Sequence, residues 1–259
     1  MKIVVLIKEV PDTYGERRLD LVTGLLDRGF SDSVVDEIDE RALEVALEYK
    51  DSHKDAEVVA IAMGPASAKD GLRKALQMGA DRAVHVVDDA LVASDALRTA
   101  RVLAAAVARE QADLVLAGNE STDGRGGVVP AMVAELLGLP LAGSLGSVTI
   151  EQNAIRGTRQ TDTAVSTLST VLPAVATVTE KSAEARFPSF KGVMAAKKKP
   201  LDAVTTVMLG IGPAEVRTTV LSTAERPARA AGTAIEDDGE GGRQLAEWLV
   251  ARGLVGRQS

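Results

Sequence analysis

Short apolar runs alternate with amphipathic helical segments between residues 3 and 137, and this alternation limits the fold more than any other feature. An uninterrupted β-branched run is typical of a strand buried on both faces of a parallel sheet. Strands are predicted at Ile3–Ile7, Glu57–Met63, Ala83–Val87 and Leu114–Ala117, and helices at Glu37–Tyr49, Ala68–Leu76, Ser94–Arg109 and Met132–Leu137. This order predicts a parallel α/β sheet with right-handed crossovers.

After about Leu145 the spacing of apolar residues changes. Three short segments separated by turns, Ser147–Glu151, Ile155–Arg159 and Val165–Leu168, predict a small hairpin insertion. Ala174–Thr179 is again a continuous apolar run, so we expect the chain to return to the parallel sheet there.

Beyond residue 199 the chain is rich in Thr, Ala and Gly until a predicted helix near Gln244–Arg252. So few apolar residues cannot build a core alone, and the segment needs another surface to lie on. We therefore expect an α/β domain at 1–199 and an extended tail with a C-terminal helix at 200–259 that packs on a partner subunit. A disordered linker is the alternative.

Composition excludes several functional classes. The net charge of −7 and the 2% of aromatic residues argue against nucleic-acid binding, which needs clustered cations and stacking rings. The absence of cysteine removes thiolate catalysis and iron–sulfur clusters, and the two histidines lie far apart, so no metal site is expected. Neither a signal peptide nor an apolar run of membrane length is present, so we expect a cytoplasmic protein without membrane insertion.

The most informative loop follows the strand predicted at Leu114–Ala117 and spans Gly118–Pro130. Four glycines, two hydroxyl side chains and one arginine stand in it before the next helix opens. Glycines let the backbone approach a ligand, and free N–H groups at a helix N-terminus attract anions. The loop therefore predicts a phosphate cradle without a lysine, and a flexible glycine-rich turn is the alternative. The first loop, Lys8–Thr13, has neither a dinucleotide fingerprint nor a P-loop.

A second unusual segment, residues 186–199, holds two of the three phenylalanines and ends in three lysines. Large apolar side chains flanked by charge are typical of a protein-docking element, here Phe187, Phe190 and Met194. A connector whose phenylalanines pack inward is the alternative. We expect an exposed Phe190 ring on a loop, because Pro188 and Gly192 interrupt the segment.

No catalytic set emerges from the sequence. The acidic cluster at Asp36, Glu37, Asp39 and Glu40 has the spacing of a solvated helix start that the helix dipole favours. No serine or lysine is coupled to a base by a recognisable motif. The residues alone indicate a binding protein without chemistry of its own.

In combination, these segments resemble the β subunits of electron transfer flavoproteins from Met1 to about Lys199. The resemblance rests on Val4–Asp12, on Gly64–Asp81, on the Gly118–Pro130 loop and on Phe187–Lys199. The acidic start at Asp36–Ala42 is most similar to the branch often called FixA-type.

The resemblance implies a heterodimer with a larger α subunit that carries electrons and has no catalytic residues of its own. It further implies a bound AMP, an FAD held mainly by the α subunit, dehydrogenases as electron donors and a downstream quinone-linked acceptor. Phe190 would be the apolar anchor of the family's recognition loop.

The residues that would hold the nucleotide also follow from the resemblance. They lie at the ends of the first two predicted strands, at the start of the first helix and along the glycine-rich loop: Leu6, Asp36, Glu37, Ile38, Asp39, Met63, Gly118, Asn119, Glu120, Ser121, Thr122, Asp123, Gly124, Arg125, Gly126, Gly127, Val128 and Val129.

Three alternatives stay open at this point. Relatives with a Val-Pro-Asp-Thr opening, here Val10–Thr13, bind a second FAD in place of AMP and bifurcate electrons. A nucleotide-binding regulatory module of the universal-stress type shares a similar sheet, although it would not explain residues 186–199. An adenine-nucleotide hydrolase is disfavoured, because the Gly118–Pro130 loop holds no lysine to manage phosphoryl charge.

Overall fold

The computed structural model describes residues 1–212, 216–229, 232, 234 and 237–255. The strands in this part of the chain are β1 (Lys2–Leu6), β2 (Glu9–Pro11), β3 (Ser33–Val35), β4 (Glu57–Met63), β5 (Arg82–Val86), β6 (Leu114–Gly118), β7 (Leu141–Leu145), β8 (Ser147–Ile150), β9 (Ala154–Gln160), β10 (Val165–Val171), β11 (Ala174–Val178) and β12 (Leu201–Val204). The helices are α1 (Glu37–Ser52), α2 (Lys69–Met78), α3 (Ala96–Glu110), α4 (Val129–Leu137), α5 (Phe190–Ala196) and α6 (Gly241–Ala251).

Seven strands form one sheet in the order β12-β5-β4-β1-β6-β11-β7, and every neighbouring pair is parallel. The predicted α/β class is therefore confirmed. The chain builds outward from β1 through β4 and β5, and then crosses by α3 to β6 on the other side of β1. The strand order thus reverses between β1 and β6, which is where parallel sheets of this kind bind ligands.

Side chains of β1 alternate between the two faces of the sheet. Ile3, Val5 and Ile7 lie in one core with α1 and α2, whereas Val4 and Leu6 lie in the other with α3 and α4. Both faces are apolar because helices cover both, which explains the uninterrupted β-branched run. The strands predicted for the parallel sheet are present within one residue of their expected bounds.

The expected hairpin insertion is a three-stranded antiparallel sheet in the order β10-β9-β8. Its residues largely alternate between exposed and partly buried positions, and Ile155 is buried in the core on the α1 face of the main sheet. The close approach of β8 and β9 depends on Gly157, because a Cβ there would lie 2.3 Å from the Ser147 carbonyl oxygen.

The boundary of the main compact unit differs from the one expected after residue 199. The described chain divides into residues 1–222 and residues 223–259. Residues Leu201–Val204 pair with β5 as the last strand of the main sheet, and Thr206 donates hydrogen bonds to Asp88 through its backbone N–H and its hydroxyl. In the second unit, α6 occupies the region of the helix predicted near Gln244–Arg252, and Gly241 is its one buried residue.

Candidate functional site

The candidate site lies at the carboxyl ends of the central strands. β4 ends at Met63, β1 leads into Ile7 and Lys8, and β6 ends at Gly118, and these three strands are neighbours in the sheet. The glycine-rich loop therefore starts beside the loop that follows β1, at the point where the strand order reverses. Together they form the kind of crevice that takes ligands in parallel α/β sheets.

Asp36 ties this loop to the first helix. Its side chain caps α1 by accepting a hydrogen bond from the backbone N–H of Ile38 at 3.0 Å. Its second carboxylate oxygen accepts from the backbone N–H of Thr122 at 2.6 Å and from the Thr122 hydroxyl at 2.8 Å. The predicted helix start is confirmed, but Asp36 is fully buried and Asp39 nearly so, so the expectation that the cluster is solvated was wrong for these two residues.

Asp39 joins the ends of the two central strands. One of its oxygens accepts from the backbone N–H of Gly118 at 2.9 Å, and the other accepts from the backbone N–H of Lys8 at 2.8 Å. Burial, together with the nearby Asp36 carboxylate, raises the pKa of Asp39 to about 8. A Cβ on Gly118 would lie 2.8 Å from the Asp39 oxygen, so only glycine fits at this position.

Lys8 brings to the loop the lysine that the loop's own sequence lacks. Its ammonium group donates to the Asp123 carboxylate at 2.6 Å and to the Ser121 hydroxyl at 3.0 Å. Burial acts to raise the pKa of Asp123, but the bonds and charge of Lys8, with bonds from Ser121 and Gly124, outweigh it and hold the pKa below its ordinary value. The sequence did contain a signal, because Lys8 directly follows the central strand.

Two arginines from the excursion between β2 and β3 also contact the loop. Arg17 donates to the Thr122 carbonyl and lies 3.3 Å from the Thr122 hydroxyl. Arg28 donates to the Glu9 carbonyl at 2.9 Å and approaches the Asp123 carboxylate at 3.9 Å. No sequence pattern indicates either residue, because their partners in the loop lie about 100 residues further along the chain.

The far half of the loop stays open. Residues 124–128 are exposed, Arg125 and Gly127 have left-handed backbone angles, and a Cβ on Gly126 would meet nothing within 4 Å. At the start of the loop, the side-chain oxygen of Asn119 is buried and accepts no hydrogen bond from the described residues. Carboxyl groups thus hold the first half of the loop in place, the second half exposes its backbone, and one buried oxygen atom lacks a donor. This combination suits a ligand that carries both a phosphate and hydrogen-bond donors.

Not every predicted contact residue faces this crevice. The Leu6 side chain lies in the core on the α3 face, so a ligand would meet only the backbone there. Glu37 is exposed on the outside of α1, whereas its neighbour Ile38 is buried and packs close to Gly118. Glu120 and the exposed Arg125 form an ion pair at 3.4 Å. The roles of Glu120 and Arg125 in binding stay predictions. So do those of Met63, Val128 and Val129.

The predicted docking side chains are exposed. Phe187 is 93% accessible, Phe190 is 85% accessible and Met194 is about half accessible. The segment differs from the expected loop, because Phe190 begins the short helix α5, which Ser189 caps by accepting from the Gly192 N–H. Pro188 precedes this cap and does not interrupt the helix.

A separate groove of about 540 Å³ lies between α3, α4 and residues 211–212. Alanines and leucines line most of it, and Arg101 is its one charged side chain. It runs along the helices and away from the strand ends, and none of the predicted binding residues lines it.

The fold defines a doubly wound parallel α/β protein, with a core on each face of the sheet. A model of the electron transfer flavoprotein domain matches residues 24–207. The chain is 48% identical over 263 residues to the electron transfer flavoprotein subunit beta of Mycobacterium tuberculosis, covering 98% of this chain and 99% of that protein. The chain belongs to the electron transfer flavoprotein family.

More distant relatives match over similar lengths. The electron transfer flavoprotein subunit beta of Syntrophomonas wolfei is 35% identical over 250 residues, which is 96% of each chain. The caffeyl-CoA reductase-Etf complex subunit CarD of Acetobacterium woodii is 33% identical over 214 residues, 82% of this chain and 81% of that protein. Within the described residues, no helix is long and apolar enough to cross a membrane.

Proposed function

We propose that this chain is the β subunit of a heterodimeric electron transfer flavoprotein and binds one AMP in the crevice between β1 and β6. Electrons would pass from dehydrogenases, through an FAD held mainly by the α subunit, to a quinone-linked acceptor. The chain acts as a carrier subunit and does not transform a substrate. The family membership and the β-subunit names of its full-length relatives support this role.

The observation that carries the nucleotide proposal is the convergence of fixed donors at the crevice. Lys8 would hold a phosphate together with the open backbone of residues 124–128, because its ammonium already lies against Ser121 and Asp123. The unpartnered Asn119 oxygen would accept from a ribose hydroxyl or an adenine amino group. These residues fit an adenine nucleotide. The redox chemistry belongs to the FAD, and this chain would position and shield it.

A second FAD in the AMP position is the alternative. The Val10–Thr13 opening supports it, and the related CarD protein is named as part of a reductase–Etf complex. The universal-stress-type module is a weaker candidate, since a regulatory module gives no reason for exposed aromatic side chains at Phe187 and Phe190.

The part of the chain beyond residue 212 would pack on the α subunit. Seven large apolar side chains beyond residue 212 are exposed in the described chain: Val216, Val220, Leu221, Leu245, Val250, Leu254 and Val255. Exposed apolar side chains in this number favour a protein partner over free solvent.

The test is the nucleotide content of the complex purified with its α subunit. We expect one AMP and one FAD for each heterodimer after denaturation. Two FAD would favour the bifurcating type, and the absence of stoichiometric adenine nucleotide would refute the site.

A loop variant locates the nucleotide. Gly126→Val should release AMP. No protein atom lies within 4 Å of a Cβ at this position, so the valine side chain would occupy the space proposed for the ligand without disturbing the protein. We expect the affinity for AMP to fall by about tenfold, which corresponds to the loss of about one neutral hydrogen bond. Glu120→Gln changes charge without bulk and should retain AMP. Equal retention in both variants would place the nucleotide elsewhere.

A further inference from the structure

The docking segment, residues Phe187–Lys199, is fixed at its start by Arg186. The Arg186 guanidinium donates to both oxygens of Glu44, at 2.7 and 2.8 Å, and to Asp51 at 2.9 Å, while its backbone N–H donates to Glu44 at 3.1 Å. Glu44 and Asp51 lie on α1, and Glu44 is 4% exposed. A buried carboxylate held by a two-pronged guanidinium makes a rigid connection.

The end of the segment is fixed by Lys199. Its ammonium group donates to the carbonyl oxygens of Leu76 at 3.0 Å and of Ala80 at 2.5 Å, at the C-terminal end of α2. The N–H of Ala80 bonds to the Ala75 carbonyl instead, which leaves the Leu76 carbonyl for Lys199. A cation at the C-terminus of a helix satisfies carbonyls that the helix cannot pair and complements its dipole. Burial lowers the pKa of Lys199, whereas the neighbouring Lys197 and Lys198 are exposed.

Between these two ends, α5 lies directly against α2. A Cβ on Gly192 would come 2.2 Å from the carbonyl oxygen of Gln77, so the two backbones approach this closely only because residue 192 is glycine. None of the seven residues of α5 is buried. The helix is therefore held by the attachments at both ends, by this backbone contact and by Ala196, which packs partly buried against the main core, and it has no buried residue of its own.

We propose that Arg186 and Lys199 form a clamp that presents Phe187, Phe190 and Met194 to the partner dehydrogenase, with Lys199 as the positioning residue. The inference rests on the docking role proposed above. A segment ordered before the encounter loses less conformational freedom on binding than a loose one, and this difference appears as affinity. Lys199 thus acts through the segment it holds, and it need not touch the partner.

The experiment uses the complete heterodimer and compares Lys199→Met with Lys198→Met. Both variants remove one positive charge from adjacent positions, but only Lys199 contacts α2. We expect Lys199→Met to raise the KM for the dehydrogenase by about tenfold, the effect of freeing one or two ordered side chains. The limiting rate and the flavin potential should stay unchanged. Lys198→Met should change KM by less than about twofold, the size expected of one exposed charge, and Lys199→Arg should restore most of the loss.

Each outcome has a defined meaning. Equal effects of Lys199→Met and Lys198→Met would indicate general charge attraction and overturn the clamp. If Lys199→Met fails to fold, Gly192→Ala displaces α5 from α2 at the neighbouring Gln77 carbonyl, and an unchanged KM in that variant also overturns the clamp. Phe190→Ala separates the two proposals, because a normal KM in Phe190→Ala removes the docking role itself. If Phe190→Ala transfers electrons slowly but Lys199→Met and Gly192→Ala have a normal KM, the docking role stands and only the clamp is contradicted.

Discussion

The glycine-rich loop and the docking segment are both short connections on the surface of the same sheet, yet they are held in opposite ways. Buried carboxylates hold the base of the loop, where Asp36 binds Thr122 and Asp39 binds Gly118. The docking segment has no buried residue in its helix, and it is held by two charged side chains at its ends and by the approach of Gly192 to α2.

The difference indicates what each region needs from outside the chain. The loop has its polar groups arranged before any ligand arrives, which suits a small ligand bound tightly within one subunit. The docking segment leaves two phenylalanine side chains exposed, which suits a transient partner that supplies a pocket for them. Changes in the loop should therefore affect stability and nucleotide together, whereas changes in the segment should affect only transfer between proteins.

The largest effect is expected from Asp36→Ala. The change would leave the N–H groups of Ile38 and Thr122 and the Thr122 hydroxyl buried without their acceptor. With about 1 kcal/mol for each unpaired group, we expect a loss of about 3 kcal/mol in the free energy of unfolding. Denaturant unfolding of the heterodimer measures the loss, and AMP should leave with the loop.

The matched control is Glu37→Ala in the same first turn of α1. Glu37 is exposed, so its removal should change the free energy of unfolding by less than about 0.5 kcal/mol. If Asp36→Ala is as stable as Glu37→Ala and still holds AMP, the loop is not fixed by the buried carboxylate and the contrast between the two regions fails.

The next effect is expected at Phe190. An exposed aromatic side chain that fills a partner pocket typically contributes about 2 kcal/mol, so Phe190→Ala should slow electron delivery from a dehydrogenase by about thirtyfold. Stopped-flow reduction of the flavin measures this rate. AMP content, flavin spectrum and unfolding midpoint should stay unchanged, because the side chain contributes almost nothing to the core.

Val165→Ala is the control for this variant, since Val165 is a 70% exposed apolar side chain on the hairpin insertion. Its transfer rate should be normal. A Phe190→Ala protein that unfolds early while transferring at the normal rate would make the side chain structural and contradict the docking assignment.

The sequence predicted the parts of the fold that local pattern determines. The buried strands and their helices were predicted because each has a local pattern: a continuous apolar run for a strand, and apolar residues at helical spacing for a helix. The edge strand Leu201–Val204 was not predicted, because two of its four residues are exposed and it is ordered by pairing with β5. An edge strand lacks the double-sided burial that marks the others.

The candidate site was also predicted only in part. The glycine pattern indicated the loop, but the roles of Asp36, Asp39 and Lys8 depend on which strands become neighbours in space. Charged residues at helical spacing usually face solvent. Here α1 packs against β6, with Ile38 and Asp39 beside Gly118, which buries the carboxylates and supplies their backbone partners.

The smallest effect concerns pH and again separates the loop from the docking segment. The pKa of Asp39 is raised from 3.8 to about 8, so the folded protein keeps a proton over a range in which the unfolded chain has lost it. Stability from this group is therefore fully present below about pH 4 and falls as the pH rises to about 8. The slope is up to about 1.4 kcal/mol for each pH unit. Asp123, whose pKa is lowered, loses its contribution only on acidification below that range.

Asp39→Asn cannot ionise, so its free energy of unfolding should fall less steeply than that of the unmodified protein between about pH 6 and about pH 7, by about 1 kcal/mol. Denaturant unfolding at the two pH values measures the difference, and comparing variants cancels the titration of every other group. Asp32→Asn, at an exposed position, should keep the original slope. Transfer at Phe190 should show no such dependence. Parallel slopes for the unmodified protein and Asp39→Asn would mean that Asp39 is ionised in the folded state, held by Lys8 and Gly118 through their backbone N–H groups.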